Sequence, residues 1–322
     1  MFNLFQLIRN TFRECIREPI FFILLITALT LIGHFPSVTL FVFSEQMKLV
    51  VDSSMATSLV FGLFAAVLCA SHTVSREMRN GTVLLLLSKP VYRWTFIVAK
   101  ILGIISAVTL FIFICNVATI ISVYIAKDQF QLDMTAYYVF FSILIIASTI
   151  GCLSNFLYGK SFSSTAIWMI AVLLPLYCLF LFSFQVRPEE IILKDLLVAL
   201  SLLFFSVATM ATITVVFSTR LEMVANLTVC CVIFFLGLVS NYLFQRPDDI
   251  GNSALLDFIC GFFYALLPNW QFFWMADALA TRQPIPVSYL LWAGLYVILY
   301  ISFCSMWAVG VFQSREIAKD SR

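Results

Sequence analysis

Three sets of residues in this chain are of the types that do chemistry: nine cysteines, two histidines and the run Gly159-Lys160-Ser161. Each fails on spacing. No C-x-x-C occurs, so neither a dithiol couple nor a metal cluster is indicated. Cys69, Cys115, Cys152, Cys178, Cys230, Cys231 and Cys304 fall in long apolar runs, where a thiol behaves as a small apolar residue. His34 and His72 lie near opposite ends of different apolar runs, with no carboxylate or cysteine at ligand spacing, and read as membrane-interface residues. The stretch "SNFLYGKS" (154–161) ends like a phosphate loop, but Ser154 stands where the first glycine of G-x-x-x-x-G-K-[ST] belongs. It is also a tight turn between two apolar runs, whereas a phosphate loop joins a strand to a soluble helix. The chain is therefore expected to hold no catalytic residue, no metal and no cofactor of its own.

Charge is the remaining signal. "REMRNGTVLLLLSKPVYRW" (76–94) frames the apolar run Val83 to Leu87 with Arg76, Arg79, Lys89 and Arg93. Gly81 suits the left-handed end of a preceding helix. Thr82 can cap a new one over Leu84, Leu85, Leu86 and Leu87, and Pro90 closes it. Five apolar residues are too few to cross a bilayer and a liability in water. They call for a groove, formed by the chain's own span ends or by a partner. The flanking cations suit an acidic protein surface or anionic lipid.

The elements that position this loop follow from composition. Apolar residues make up 62% of the 322-residue chain and charged ones only 11%, and the mean hydropathy is +1.02. A hydrocarbon core needs about 20 apolar residues per helix. Eight runs qualify, near 20–43, 54–74, 96–125, 135–157, 162–184, 192–217, 223–244 and 288–312. None alternates with the period of a strand. The fold class is an all-α polytopic membrane protein of about eight transmembrane helices. The span interiors hold Ser, Thr and a few Asn, such as Asn116 and Asn226, rather than a charged relay, which argues against a proton-coupled or sodium-coupled carrier.

Residues 1–19 carry charge throughout and no small-residue cleavage site follows, so no cleavable secretion signal is expected. At helical pitch Arg9, Arg13, Arg17, Gln6 and Glu14 share one half of this segment, and Leu4, Phe5, Ile8, Phe12 and Ile16 the other. That pattern describes an amphipathic interfacial helix, which Pro19 ends. With the N-terminus in the cytosol, thirteen of the 19 lysines and arginines face inward, which places both termini inside a cytoplasmic (inner) membrane. Residues 20–322 then form one transmembrane domain, with a cytoplasmic loop at 75–95 and an outer loop at 245–287. Asp257, Pro268, Asn269 and Asp277 interrupt the apolar stretch at 254–280, so it is read as short interfacial or re-entrant helices, with Trp270 and Trp274 at headgroup level.

Ser75, Arg76, Glu77, Gly81, Thr82, Leu86, Leu87, Ser88, Pro90, Arg93 and Lys100 resemble the S-R-E-x-x-x-G-T-x-x-x-L-L-S-x-P-x-x-R signature after the second span of type-2 permeases of ATP-binding cassette (ABC) transporters. The layout is similar too: an amphipathic first helix, a coupling helix between spans two and three, and a re-entrant outer region before the last span. Members with six spans are the commoner pattern, and the extra pair is assigned to roughly 192–244. The resemblance implies a membrane subunit beneath which a separate ABC ATPase docks, and a second permease copy or paralogue beside it in a homo- or heterodimer. ATP and Mg would sit on the ATPase, and no nucleic acid is implied. Glu77 and Arg79 would orient the loop, Leu84 to Leu87 would seat in the ATPase, and Arg93 would form a salt bridge there or pair with Glu77. Export is the family tendency. A membrane enzyme would need a catalytic pair at one depth, and none is seen. A non-transporting anchor or assembly subunit of a maturation or signalling complex stays open.

Overall fold

The computed structural model describes residues 4–38, 46–77, 93–128, 131–184, 193–244, 258, 261–262, 264–281 and 283–320. Helix α1 (Leu4–Arg17) leads into α2 (Pro19–Val38). Proline suits this first helical position because its missing N–H would find no partner there. The span α3 (Gln46–Ala70) runs on into a π-helical turn, Ser71–Ser75. Then follow α4 (Arg93–Ile125), a small hairpin of β1 (Ala126–Asp128) and β2 (Gln131–Leu132), α5 (Met134–Tyr158), α6 (Phe162–Phe184), α7 (Leu193–Ser218) and α8 (Met223–Phe244). A 3-10 turn (Trp270–Phe273) and the short α9 (Ala276–Ala280) precede α10 (Val287–Asp320). Eight of these helices are long and apolar enough to cross a membrane.

Helix ends obey ordinary capping chemistry. Asp133 accepts bonds from the Thr135 and Ala136 amides at the start of α5, both at 3.1 Å. At its far end Gly159 takes φ 62° and donates to the Asn155 carbonyl at 3.0 Å. The Gly-Lys-Ser run is thus a helix stop followed by a turn into α6. A phosphate loop instead opens a helix.

Helices α3, α4 and α7 form the centre, with α2, α8 and α10 around them. The best covered span is α7, with 72% of its apolar stretch buried against 28% for α5 and for α6. Helices α5 and α6 pack chiefly on each other, at the edge beside α4. Of the pair at roughly 192–244, α7 is thus central, whereas the apolar stretch of α8 is 28% buried.

Consecutive spans alternate in direction, so one end of the bundle gathers α1, the π turn, the start of α4, the α7–α8 turn and the last turns of α10. Phe96 and Phe312 stack there, 6.2 Å apart. The other end joins His34 to the Tyr137 hydroxyl at 3.0 Å and Asp195 to the Ile285 amide at 3.4 Å.

Hydroxyls inside the spans mostly bond back to their own helix, as Thr119 does to the Cys115 carbonyl. A few cross between helices: Ser122 to the Ile32 carbonyl at 2.8 Å, and the Asn116 amide to the Leu200 carbonyl at 2.9 Å. Such bonds are worth about 0.6 to 2 kcal/mol each between helices in lipid.

Candidate functional site

The α1 end of the bundle holds a buried cation. Seven residues into α4, Lys100 is only 5% exposed. Its ammonium lies 2.9 Å from the Glu77 carboxylate and 3.4 Å from that of Glu14, and 5.8 Å from the centre of the Phe96 ring. Glu77 continues the helix past the π turn, and Glu14 belongs to α1. One cation thus ties three elements together: the first helix, the end of the second span and the start of the third. Burial pushes the Glu77 carboxyl above the usual glutamate range, Lys100 pulls it back down, and Glu14 raises it again.

The ring beside this node is fixed by donor and acceptor logic. Arg76 approaches His72 Nε2 at 3.1 Å, and a guanidinium can only donate. Nε2 then accepts, and Nδ1 lies 3.0 Å from the Glu18 carboxylate. His72 is thus a link between the α1–α2 corner and Arg76. A π turn places one extra residue in the helix, and such turns recur at functional positions. Here Ser71 and Ser75 face the α7–α8 turn: the Asn226 amide donates to Ser71 Oγ at 3.0 Å, and Ser75 donates to the Leu221 carbonyl at 2.9 Å.

The apolar half of α1 is divided. Thr11, Cys15 and Ile16 are buried, whereas Phe5 is 71% exposed. Thr11 crosses α4 at Gly103, where an added Cβ would meet Thr11 Cβ at 2.6 Å and the Ile8 carbonyl at 3.0 Å. On the other side Phe12 meets Trp168 of α6 edge-on at 6.3 Å.

At the opposite end, the 3-10 turn folds back on α7 and α8 and α9 folds back on α3. Trp270 is 2% exposed and lies over Gly237 of α8, whose missing side chain makes room for the indole. The ring is part of the packed bundle, where the sequence suggested a headgroup anchor. Asn241 receives bonds from Asn269 at 2.6 Å and Tyr264 at 3.2 Å, and itself donates to Gln271 at 2.6 Å, which stitches this segment to α8. Beneath it an apolar groove of about 480 Å³ runs between Leu59 and Leu63 of α3 and Phe234 and Leu238 of α8, with Trp270 and Trp274 at one end.

Of the residues that the sequence singled out, Arg76 and Glu77 are placed at the node. Arg79, Gly81, Thr82, Leu84, Leu85, Leu86, Leu87 and Pro90 lie outside the described residues. Arg93 begins α4, with only its backbone described. Lys100, Glu14, His72 and Glu18 complete the site. A lysine seven residues inside an apolar helix was a signal that partners must exist. Nothing in the sequence said that they would come from positions 86 and 23 residues away. Among the described residues, no three of His, Cys, Asp and Glu gather as a metal site.

Comparison with curated proteins and with solved structures returned no match. Residues 5–157 do match the family described as ABC-2 family transporter protein, a stretch that runs from α1 through the node to α5. That stretch, a little under half of the chain, is similar to the ABC-2 transporter family, and with eight helices long and apolar enough to cross a membrane it supports a type-2 ABC transporter permease.

Proposed function

We propose that the chain is the permease subunit of an ABC exporter, set in a cytoplasmic membrane with both termini in the cytosol and driven by a separate ATPase that carries ATP and Mg. Residues 75–95 hold its coupling loop, with Leu84 to Leu87 seated in the ATPase and Arg76, Arg79 and Arg93 around them. The observation that carries this reading is the Lys100 node. The residue that leads into the loop, Glu77, is tied at 2.9 Å to a lysine that also holds α1, so displacement of the loop reaches two further elements. A second copy or paralogue completes the working unit. The groove between α3 and α8 gives the cargo an apolar path.

Purification of the tagged chain from its native membranes tests the reading. A phosphate-loop ATPase should co-purify in one-to-one ratio. Leu85→Asp with Leu86→Asp should release it while the thermal melt of the membrane domain stays unchanged. Isolation of the chain with no ATPase, or undiminished retention by the double variant, sinks the docking reading.

A further inference from the structure

The π turn at Ser71–Ser75 has no local cause. Glycine and proline, the residues that most readily disturb a helix, are absent from it. Thr73 even bonds back in the ordinary helical way, its hydroxyl donating to the Cys69 carbonyl at 2.7 Å. The surplus residue is held instead by contacts from elsewhere in the fold.

Those contacts come from one rigid piece. At the near end of the turn the fully buried Asn226 donates to Ser71 Oγ at 3.0 Å and to the Thr214 carbonyl at 3.4 Å, and its Oδ1 takes the Cys230 thiol at 3.4 Å. At the far end Ser75 donates to the Leu221 carbonyl at 2.9 Å. Leu221 and Asn226 lie either side of the start of α8, and backbone bonds fix both: Leu221 N–H to the Phe217 carbonyl and Asn226 N–H to the Glu222 carbonyl, each at 2.8 Å. The α7–α8 turn thus grips both ends of the π turn and sets the length of helix between them. Upstream the span cannot give, because at Gly62 an added Cβ would meet Ile112 Cδ1 at 2.7 Å and Val207 Cγ2 at 3.1 Å. Slack released from the turn has one way to go, toward Arg76 and Glu77.

We propose that the π turn is a register switch and that the α7–α8 turn is its clamp. In the clamped state the surplus residue stays in the turn and Glu77 sits on Lys100. When the clamp opens, the turn regains α pitch and passes the surplus to the segment ahead, on the microsecond-to-millisecond scale of helix register shifts. Asn226 is the positioning residue: its bonds go to Ser71, Thr214 and Cys230, so it acts on Glu77 through the turn alone. The switch rests on the coupling-loop reading only for its use, and its existence is tested on the isolated chain without an ATPase.

The test is a double-mutant cycle, read by thermal melting of the purified full chain in neutral detergent. Asn226 bonds to Ser71, Thr214 and Cys230, and Lys100 to Glu14 and Glu77, and changes at sites with no shared partner are normally additive. Here the melting shift caused by Lys100→Met should fall to about half or less in the Asn226→Leu chain, because Glu77 has already left the lysine there. Ser75→Ala opens the other end of the clamp more gently and should act the same way, which keeps the test open should Asn226→Leu fail to fold. Deletion of Thr73 removes the surplus residue and leaves both flanks in register, so in that chain the Lys100→Met shift should keep its full size and no longer depend on Asn226. Additive shifts in the intact chain overturn the switch, and so does coupling that survives the deletion. Failure of an ATPase to co-purify bears on the permease reading and leaves the switch standing.

Discussion

At the scale of single residues, the Lys100 cluster shows how an ion pair in a membrane protein differs from one on a soluble surface. Two carboxylates share one ammonium, and the side chain that carries it is 7% exposed. Removing one partner of a buried pair costs about 3 kcal/mol or more, because the other charge is left without compensation. The pH dependence follows from the sign of the Glu77 shift. Its carboxyl lies above the ordinary value of 4.5 in the folded chain, so the folded state binds more protons there than the unfolded one. The stability term is complete below that value and declines as pH rises through the elevated one. Lys100→Met takes away the group that pulls Glu77 down. The variant should lose melting temperature relative to wild type, and the gap should widen from pH 5 to pH 8. Melting curves that stay parallel across that range would remove the node as a source of stability.

Among elements, α1 shows what hydrophobic patterning can and cannot tell. The sequence marks it as amphipathic, and the helix forms over Leu4–Arg17. The face that packs is centred on Thr11 and Cys15, small residues that a pattern of large apolar side chains does not favour, and it packs because Gly103 lets two backbones approach. Close approach through small residues is the usual basis of helix association in lipid. Gly103→Leu has no room and should cost about 1–3 kcal/mol by overpacking. It should also lift α1 far enough that the fully buried Cys15 reacts with a maleimide in a chain whose other cysteines are replaced. Continued protection of Cys15 would mean that α1 is held elsewhere. Spans were legible because a run of about 20 apolar residues has few other destinations. Their ends were not. Helix α3 begins at Gln46, well before its apolar run, and α10 continues through the charged tail to Asp320, because backbone hydrogen bonding does not stop where hydropathy does. The π turn at "SHTVS" was equally hidden, since those residues read as ordinary helix.

Across the whole molecule, the fold is two ends joined by a bundle, and they differ in chemistry. The end with α1 carries the buried lysine, the Arg76 guanidinium and the π turn; the other carries a folded-back aromatic segment and an amide network. The class of the protein was legible from composition. The partners that Glu77 meets within the fold were not, because they are contacts between distant positions. Side assignment can be checked with an impermeant maleimide on intact cells. In a cysteine-replaced chain, Thr281→Cys should label and Lys160→Cys should not. The reverse pattern would invert the bundle, and labelling at both positions would break the eight-span count.

The turn at Ser71–Ser75 has one more consequence. It stores a surplus residue in an otherwise regular helix, and each residue is worth about 100° of rotation and 1.5 Å of advance along the axis. Were the turn to tighten to α pitch, everything beyond Ser75 would swing through that angle. Arg76 would leave His72, and Glu77 would leave Lys100. The second span thus ends in a gear tooth, already cut just ahead of Arg76 and Glu77.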